Sequence, residues 1–383
     1  MVTPTTTERK LSVKRGLSVE KDEQRAVKDF YKQIEQPNMS GIIFFASSKY
    51  DPEKLGEAMR ATFDVPVIGC TTAGEITPMG YSEGSLTGVS IASDDFKMHT
   101  FSIKPLRNLN TQEIVRIGER AEEILNQAKK KDNGAKAFAL LLIDGLSVME
   151  ETVTANLHQA LDNIPIIGGS AGDDVAFEKT YVYAEGEFVS DAAVMGLCTT
   201  SLQFETFKTQ HFVPTDKKLV ITEADPKNRT VEEINGQPAA EEYASLVGLT
   251  TDELTPMVFS KYPVVLKIGG EYFVRSIQKV NDDGGLTFYC AIDNGLVLTL
   301  ATGVDIVENL ENCFNSLTKR FSNPQLIIGC ECILRRLEVL EKELTPDVDE
   351  RMKRFNVIGF HTYGEQFNSV HVNQTFTGIA LGE

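Results

Sequence analysis

Val67-Ile68-Gly69-Cys70-Thr71-Thr72-Ala73-Gly74-Glu75 is a phrase that this chain uses three times. It returns near the end as Val357-Ile358-Gly359-Phe360-His361-Thr362-Tyr363-Gly364-Glu365, with the same internal spacing. A copy one residue shorter, Ile166-Ile167-Gly168-Gly169-Ser170-Ala171-Gly172-Asp173, lies between them. In the outer copies another glycine follows 14 residues after Gly74 and Gly364, at Gly88 and Gly378. In the middle copy Gly196 comes later, and a hairpin-like insert from Tyr181 to Val189 accounts for the delay. Internal repetition fixes the plan of a fold ahead of any local reading. Here one strand-turn-strand unit is reused, and each time a glycine-acid turn is delivered to the end of a strand.

Around the first copy, the apolar run Gly41 to Ala46 reads as a buried strand. Asp51-Pro52 opens a helix, with Asp as the cap and Pro at the first helical position. Leu55, Met59 and Phe63 form its apolar stripe, and Val67 begins the next strand. The order recurs around the second copy: Ala137 to Ile143 is a strand, Glu150 to Leu161 a helix and Pro165 to Gly168 a strand. Between the two lies a surface helix, Thr111 to Lys129, with Ile114, Ile117, Ala121 and Leu125 turned inward. Beyond Leu219 the texture changes. Gly269-Gly270 and Asp282-Asp283-Gly284-Gly285 are turn signals between antiparallel strands. A helix (Val304 to Leu317), a buried strand (Gln325 to Cys332), a second helix and a closing strand (Thr375 to Leu381) follow. The expected fold class is α/β to α+β with two domains. Strand-helix-strand repeats and a mixed sheet make the N-terminal domain, residues 31–215. A mostly antiparallel sheet with helices makes the C-terminal domain, residues 216–383. Residues 1–30 are expected to be a flexible tail.

Basic groups number 38 against 55 acidic ones, a net charge of -17. That argues against nucleic acid or an anionic membrane as partner and favours small ligands or proteins. Met1 to Arg25 holds no apolar signal region, and no apolar run approaches the length of a membrane helix. Six cysteines in 383 residues do not make a disulfide framework, so a reducing cytoplasm is the expected home. No nucleophile elbow, phosphate-binding loop, H-E-x-x-H or dinucleotide fingerprint occurs, and no enzymatic activity is expected. Homo-oligomerisation stays open.

The glycine phrases, the closing Asn373-Gln374-Thr375, and the segment from Val220-Ile221-Thr222 to Asn235-Gly236-Gln237-Pro238-Ala239 resemble the FIST family. That family carries an N-terminal and a C-terminal FIST domain in one chain. The likeness covers residues from about 35 to 383. Within it, His211-Phe212-Val213-Pro214-Thr215, Glu223-Ala224-Asp225-Pro226 and Gly329-Cys330-Glu331-Cys332-Ile333-Leu334-Arg335-Arg336 are similar to nitric-oxide-sensing haem proteins of the NosP type. The resemblance implies a cytoplasmic sensor that binds haem b and nitric oxide and regulates a sensor histidine kinase or a cyclic-di-GMP enzyme. It implies His211 as the axial ligand and sole metal-binding residue.

A five-coordinate ferrous haem needs one neutral imidazole nitrogen. His361 and His371, which flank the third glycine turn, are alternatives to His211; His99 and His158 read as surface or structural residues. Arg335 and Arg336 are the candidate propionate partners, or else a solvated pair opening a helix. Cys330 and Cys332 read as small buried hydrophobes, or as a redox pair or half a metal site. The turns themselves leave two readings open. Thr71, Thr72, Glu75, Thr362, Tyr363 and Glu365 form a cradle for a small polar metabolite such as an amino acid, or the glycines only permit tight turns. A haem-free metabolite sensor is thus the alternative function, and a scaffold with a vestigial cavity the third.

Overall fold

The computed structural model describes residues 10–321 and 324–383. The repeated phrase proves to be one part of a larger unit that the chain builds three times. The first unit runs β1 (Ser12–Ser18), α1 (Glu23–Ile34), β2 (Met39–Ser47), α2 (Pro52–Thr62), β3 (Val67–Thr72), the hairpin β4 (Glu75–Thr77) and β5 (Gly80–Ser82), then β6 (Leu86–Ala92). The second repeats it: β7 (Phe96–Ile103), α3 (Thr111–Lys131), β8 (Lys136–Ile143), α4 (Glu150–Leu161), β9 (Ile166–Ser170), hairpin β10 (Val182–Ala184) and β11 (Glu187–Val189), β12 (Ala193–Thr200). The third opens with β13 (Gln203–Thr209) and is then interrupted by an inserted domain. That domain holds β14 (Phe212–Asp225), β15 (Thr230–Ile234), β16 (Gln237–Pro238), α5 (Ala239–Val247), α6 (Pro256–Lys261), β17 (Val264–Ile268), β18 (Glu271–Arg275), β19 (Ile277–Val280), β20 (Leu286–Phe288) and β21 (Val297–Gly303). The third unit resumes with α7 (Ile306–Arg320), β22 (Pro324–Cys332), α8 (Ile333–Glu341), α9 (Thr345–Arg354), β23 (Val357–Thr362), hairpin β24 (Glu365–Phe367) and β25 (Val370–Val372), and β26 (Phe376–Gly382).

The three units exchange hairpins in a ring. The hairpin of the first unit adds to the third sheet, through β4 on β23. The hairpin of the third adds to the second sheet, through β24 on β9. The hairpin of the second adds to the first sheet, through β10 on β3. Three six-stranded sheets of matching order result: β1-β6-β2-β3-β10-β11, β7-β12-β8-β9-β24-β25 and β13-β26-β22-β23-β4-β5. Each has one parallel pair at its heart, β2/β3, β8/β9 or β22/β23, as a strand-helix-strand crossover requires. The inner faces of all three sheets close one core, where Phe45 stacks on Phe360 with ring centroids 4.6 Å apart. Two helices of its own unit cover the outer face of the first sheet and of the second, and α7, α8 and α9 cover the third. The inserted domain forms a separate eight-stranded antiparallel sheet with its own core.

The two-domain α+β architecture holds, with mixed sheets in the N-terminal part and an antiparallel sheet in the C-terminal part. Two sequence expectations are corrected. The hairpin in the second unit is no insert, because all three units have one; the extra length is the loop that precedes it, residues 171–181. The tail expected over residues 1–30 is already β1 and the start of α1 from Ser12 onward, and residues 1–9 lie outside the described residues. β1 hides from a sequence reading because it is an edge strand that carries the charged Lys14 and Arg15 on opposite faces. Among the described residues no helix is long and apolar enough to cross a membrane.

Candidate functional site

The glycine turns end β3, β9 and β23 and interlock about the common core. Ala73 N donates to His361 O at 3.0 Å, Ser170 N to Gly364 O at 2.8 Å, and Gly172 N to Thr71 O at 3.1 Å. The first and third turns repeat one set of bonds. Thr72 Oγ1 donates to Glu75 at 2.5 Å, and Ser85 donates to Glu75 from both its N and Oγ. Thr362 donates to Glu365, which also accepts from Thr375 N and Oγ1. Tyr363 donates to Asp173 and accepts from Val175 N, and Thr71 Oγ1 bonds the Tyr181 backbone. The six residues expected to cradle a metabolite therefore direct their polar groups into the joint between units.

Burial raises both carboxyls, against hydrogen bonds that lower them: Glu75 to about 7 and Glu365 to about 8. The folded protein thus holds protons that the unfolded chain has released, and stability falls as pH rises from about 4.5 to 8. Glu365→Gln removes the titration; its oxygen can accept from Thr375, and its amide nitrogen then donates to Thr362 Oγ1 instead of accepting from it. Thermal melts should show its midpoint declining less than that of the wild type across the upper part of that window.

His211 lies where the chain crosses from β13 into the inserted domain, and its carbonyl accepts from Val304 N, where the chain returns, at 2.7 Å. The side chain is buried. Arg335 NH1 sits 2.7 Å from His211 Nδ1, and Glu338 Oε2 sits 2.8 Å from Nε2. A guanidinium only donates, so Nδ1 accepts and Nε2 carries the proton, which it gives to Glu338. Arg335 Nε then donates to Glu331 Oε1 at 3.1 Å, and Tyr81 donates to the other Glu331 oxygen. His361 Nε2 makes a long contact to Glu331, 3.5 Å. Lys342 closes the outer end on Glu338 at 2.6 Å. Burial would raise Glu331, but His361, Arg335 and Tyr81 together pull it down to about 2. Burial lowers His211 and keeps the ring neutral.

This chain of bonds does not fit haem. Both ring nitrogens of His211 are engaged, and freeing Nδ1 for iron would leave the Arg335 cation facing the metal. Arg335 and Arg336 are not a solvated pair either, since both are buried. Arg336 donates to Ala73 O at 2.8 Å and to Glu83. Among the described residues no group of three or more His, Cys, Asp or Glu is placed to hold a metal. Cys330 and Cys332 are free thiols that burial pushes well above their usual range. Two open clefts on the second unit, lined by His99 and Arg120 or by Glu122 and Phe204, touch none of these residues.

The inserted domain meets the three-sheet body along a polar seam. Arg229 bonds Glu150 at 2.5 Å and Glu151 at 2.6 Å, at the start of α4. Ala291 N donates to Glu151, and Gln374 donates to Phe259 O. Buried polar atoms on this seam without a hydrogen-bond partner are Ser276 Oγ, Asn373 Nδ2 and the side-chain oxygen of Gln374, while the His371 ring bonds the Tyr289 backbone and Arg275 bonds Cys290. Sequence reading gave none of these residues a site role apart from His371; Asn373 and Gln374 entered only as part of the closing motif. The one available signal was polar density after the third turn, His371, Asn373 and Gln374 within four positions.

Residues 41–237 match the FIST N domain and residues 239–368 match the FIST C domain. The chain is also similar to an uncharacterised protein of Methanocaldococcus jannaschii, 25% identical over an alignment that covers 89% of this chain and 73% of that protein.

Proposed function

The chain belongs to the FIST family, whose domains are sensory and not catalytic, and on that premise we propose that it is a haem-free signalling sensor for a small polar metabolite. The observation that carries the reading is the seam. Two parts of one chain meet through buried ion pairs and unpartnered polar atoms, beside an aromatic contact of Tyr289 with Phe177 and Tyr363. Polar interfaces of this kind permit relative motion of the parts. A metabolite bound at the seam shifts the balance between two arrangements by its differential affinity for them. His211 and Val304 form the neck between the parts, so α8 feels any such shift through Arg335 and Glu338. A sensor histidine kinase or a cyclic-di-GMP enzyme is the proposed reader, as the resemblance read in the sequence implies. The nitric oxide reading is not carried further, since it needs an iron ligand that His211 cannot supply while Arg335 and Glu338 hold it.

The test is a panel of amino acids and short carboxylates in melting scans of the full chain, followed by circular dichroism because the protein has no tryptophan. At least one compound should raise the midpoint, as mass action demands of any ligand that binds only the folded state. If none does, and haem does, the reading is wrong.

A further inference from the structure

Two buried carboxylates cannot both keep their charge against a single guanidinium without cost. That is the arrangement where the inserted domain grips α4. Glu150 and Glu151 open the helix, and Arg229 comes from the turn between β14 and β15. One nitrogen of Arg229 serves both acids: NH2 donates to Glu150 Oε2 at 2.5 Å and to Glu151 Oε2 at 2.6 Å. NH1 is spent on Tyr289 O, inside the inserted domain, at 2.7 Å. Ala291 N adds a bond to Glu151 Oε1 at 2.6 Å. Arg229 and Glu150 are buried, and Glu151 is partly so.

The surroundings bring no second cation to the pair. His371 faces Glu151 from β25, which packs on α4, and burial lowers its ring to about 4, so it is neutral above that pH. Cys290 lies by Arg229 and Glu151, and burial pushes its thiol up to about 11. Arg275 bonds Cys290, and among the described residues it makes no ion pair with either acid. α3 meets α4 through apolar side chains, Ile114, Ile117 and Ala121 among them. Burial raises Glu150 to about 7 against the pull of Arg229, and Glu151 adds to the rise. Burial would raise Glu151 too, but His371, Arg229 and the Ala291 amide hold it below its usual range. The backbone is strained on both sides of the contact. Arg229 stands at φ +53°, and Val148, two residues before Glu150, at φ +61°, an outlier for a β-branched residue. Such conformations last only while their surroundings hold them.

We propose that Arg229, Glu150 and Glu151 form a proton-controlled latch between the inserted domain and the three-sheet body. The latch is closed while the two carboxyls share one proton. It loosens when that proton leaves and two carboxylates compete for one cation. The sign follows from linkage. The closed latch keeps the Glu150 proton up to about pH 7, whereas an open, hydrated Glu150 releases it near the ordinary glutamate value of about 4.3. Opening therefore grows with pH between those values and levels off above them. The latch uses the same seam as the sensor reading but needs no metabolite, so it sets how readily the two parts separate whether or not one binds.

Hydrogen exchange of the full chain, followed by mass spectrometry and corrected for the intrinsic rate at each pH, reads the opening. From about pH 5.5 to about 6.5, protection of the first turn of α4 and of the turn that carries Arg229 should fall about tenfold more in the wild type than in Glu150→Gln. That variant keeps an acceptor for Arg229 and cannot titrate. Glu75 and Glu365 are common to both proteins and cancel. Glu151→Gln should flatten the response as well, because one guanidinium then answers one carboxylate. A merely structural Glu150 predicts the same pH profile in all three proteins, and that result would overturn the latch. A steeper fall at the α4 turn alone, with none at the Arg229 turn, would overturn it too, since α4 would then be fraying by itself. Neither result bears on the metabolite reading, which the melting panel judges.

Discussion

Arg335→Met is expected to destabilise the protein by about 3–5 kcal/mol, read as a drop in the denaturant midpoint. Arg335 is buried and joins Glu331 to His211. Without it, Glu331 keeps Tyr81 and the long contact to His361 but loses its only guanidinium, and His211 Nδ1 loses its donor. The cost comes from stranding a buried carboxylate more than from losing attraction. A double variant with Glu331→Gln should therefore recover part of the loss, because the stranded charge is gone. Lys342→Ala at the outer end should cost little, because that ammonium is 43% exposed. A small effect of Arg335→Met would mean that the ion chain does not anchor α8.

Gly359→Ala should be as damaging, for a steric reason. Gly359 pairs with Gly329 in the parallel heart of the third sheet. A Cβ at 359 would sit 1.9 Å from the Gly329 carbonyl oxygen, and backbone cannot swing aside as a side chain can. Overpacking of this severity costs at least about 3 kcal/mol. A Cβ at Gly168, its counterpart in the second unit, would sit 1.9 Å from Leu141 O, so Gly168→Ala should behave alike. Gly69 in the first unit meets the Phe44 ring instead, and the ring can rotate, so Gly69→Ala should be milder. Denaturant midpoints of the three variants give the ranking. Equal, small losses would show that these glycines serve only the turns that follow them.

The repeated phrase carried much of the fold. Apolar runs and the Asp51-Pro52 cap placed the parallel pairs, and Asp51 does accept from Glu53 N and Lys54 N. The ring of exchanged hairpins was not legible, because β4, β10 and β24 are three residues each and pair with strands far away in sequence. β13 is divided from its unit by about ninety residues of inserted domain, which no local period reveals. The site was harder still. Glu331 falls in the expected buried strand, and Arg335 with Arg336 reads as a propionate pair or a solvated one; only contact with His211, in the link between β13 and β14, shows that Arg335 and Glu338 turn inward. His211 stood out through the resemblance, and a buried histidine is as much a neck residue bonded on both nitrogens as a ligand to iron. Arg229 and Arg275 carry no local mark, since their partners come from α4 and from the third hairpin.

The account stands on His211 serving an ion chain and not an iron. The most direct test is an absorption spectrum of the purified chain incubated with haem, reduced, and then exposed to nitric oxide. The account predicts no stoichiometric Soret band and no response to the gas. A one-to-one Soret band that shifts with nitric oxide and vanishes in His211→Ala would contradict it.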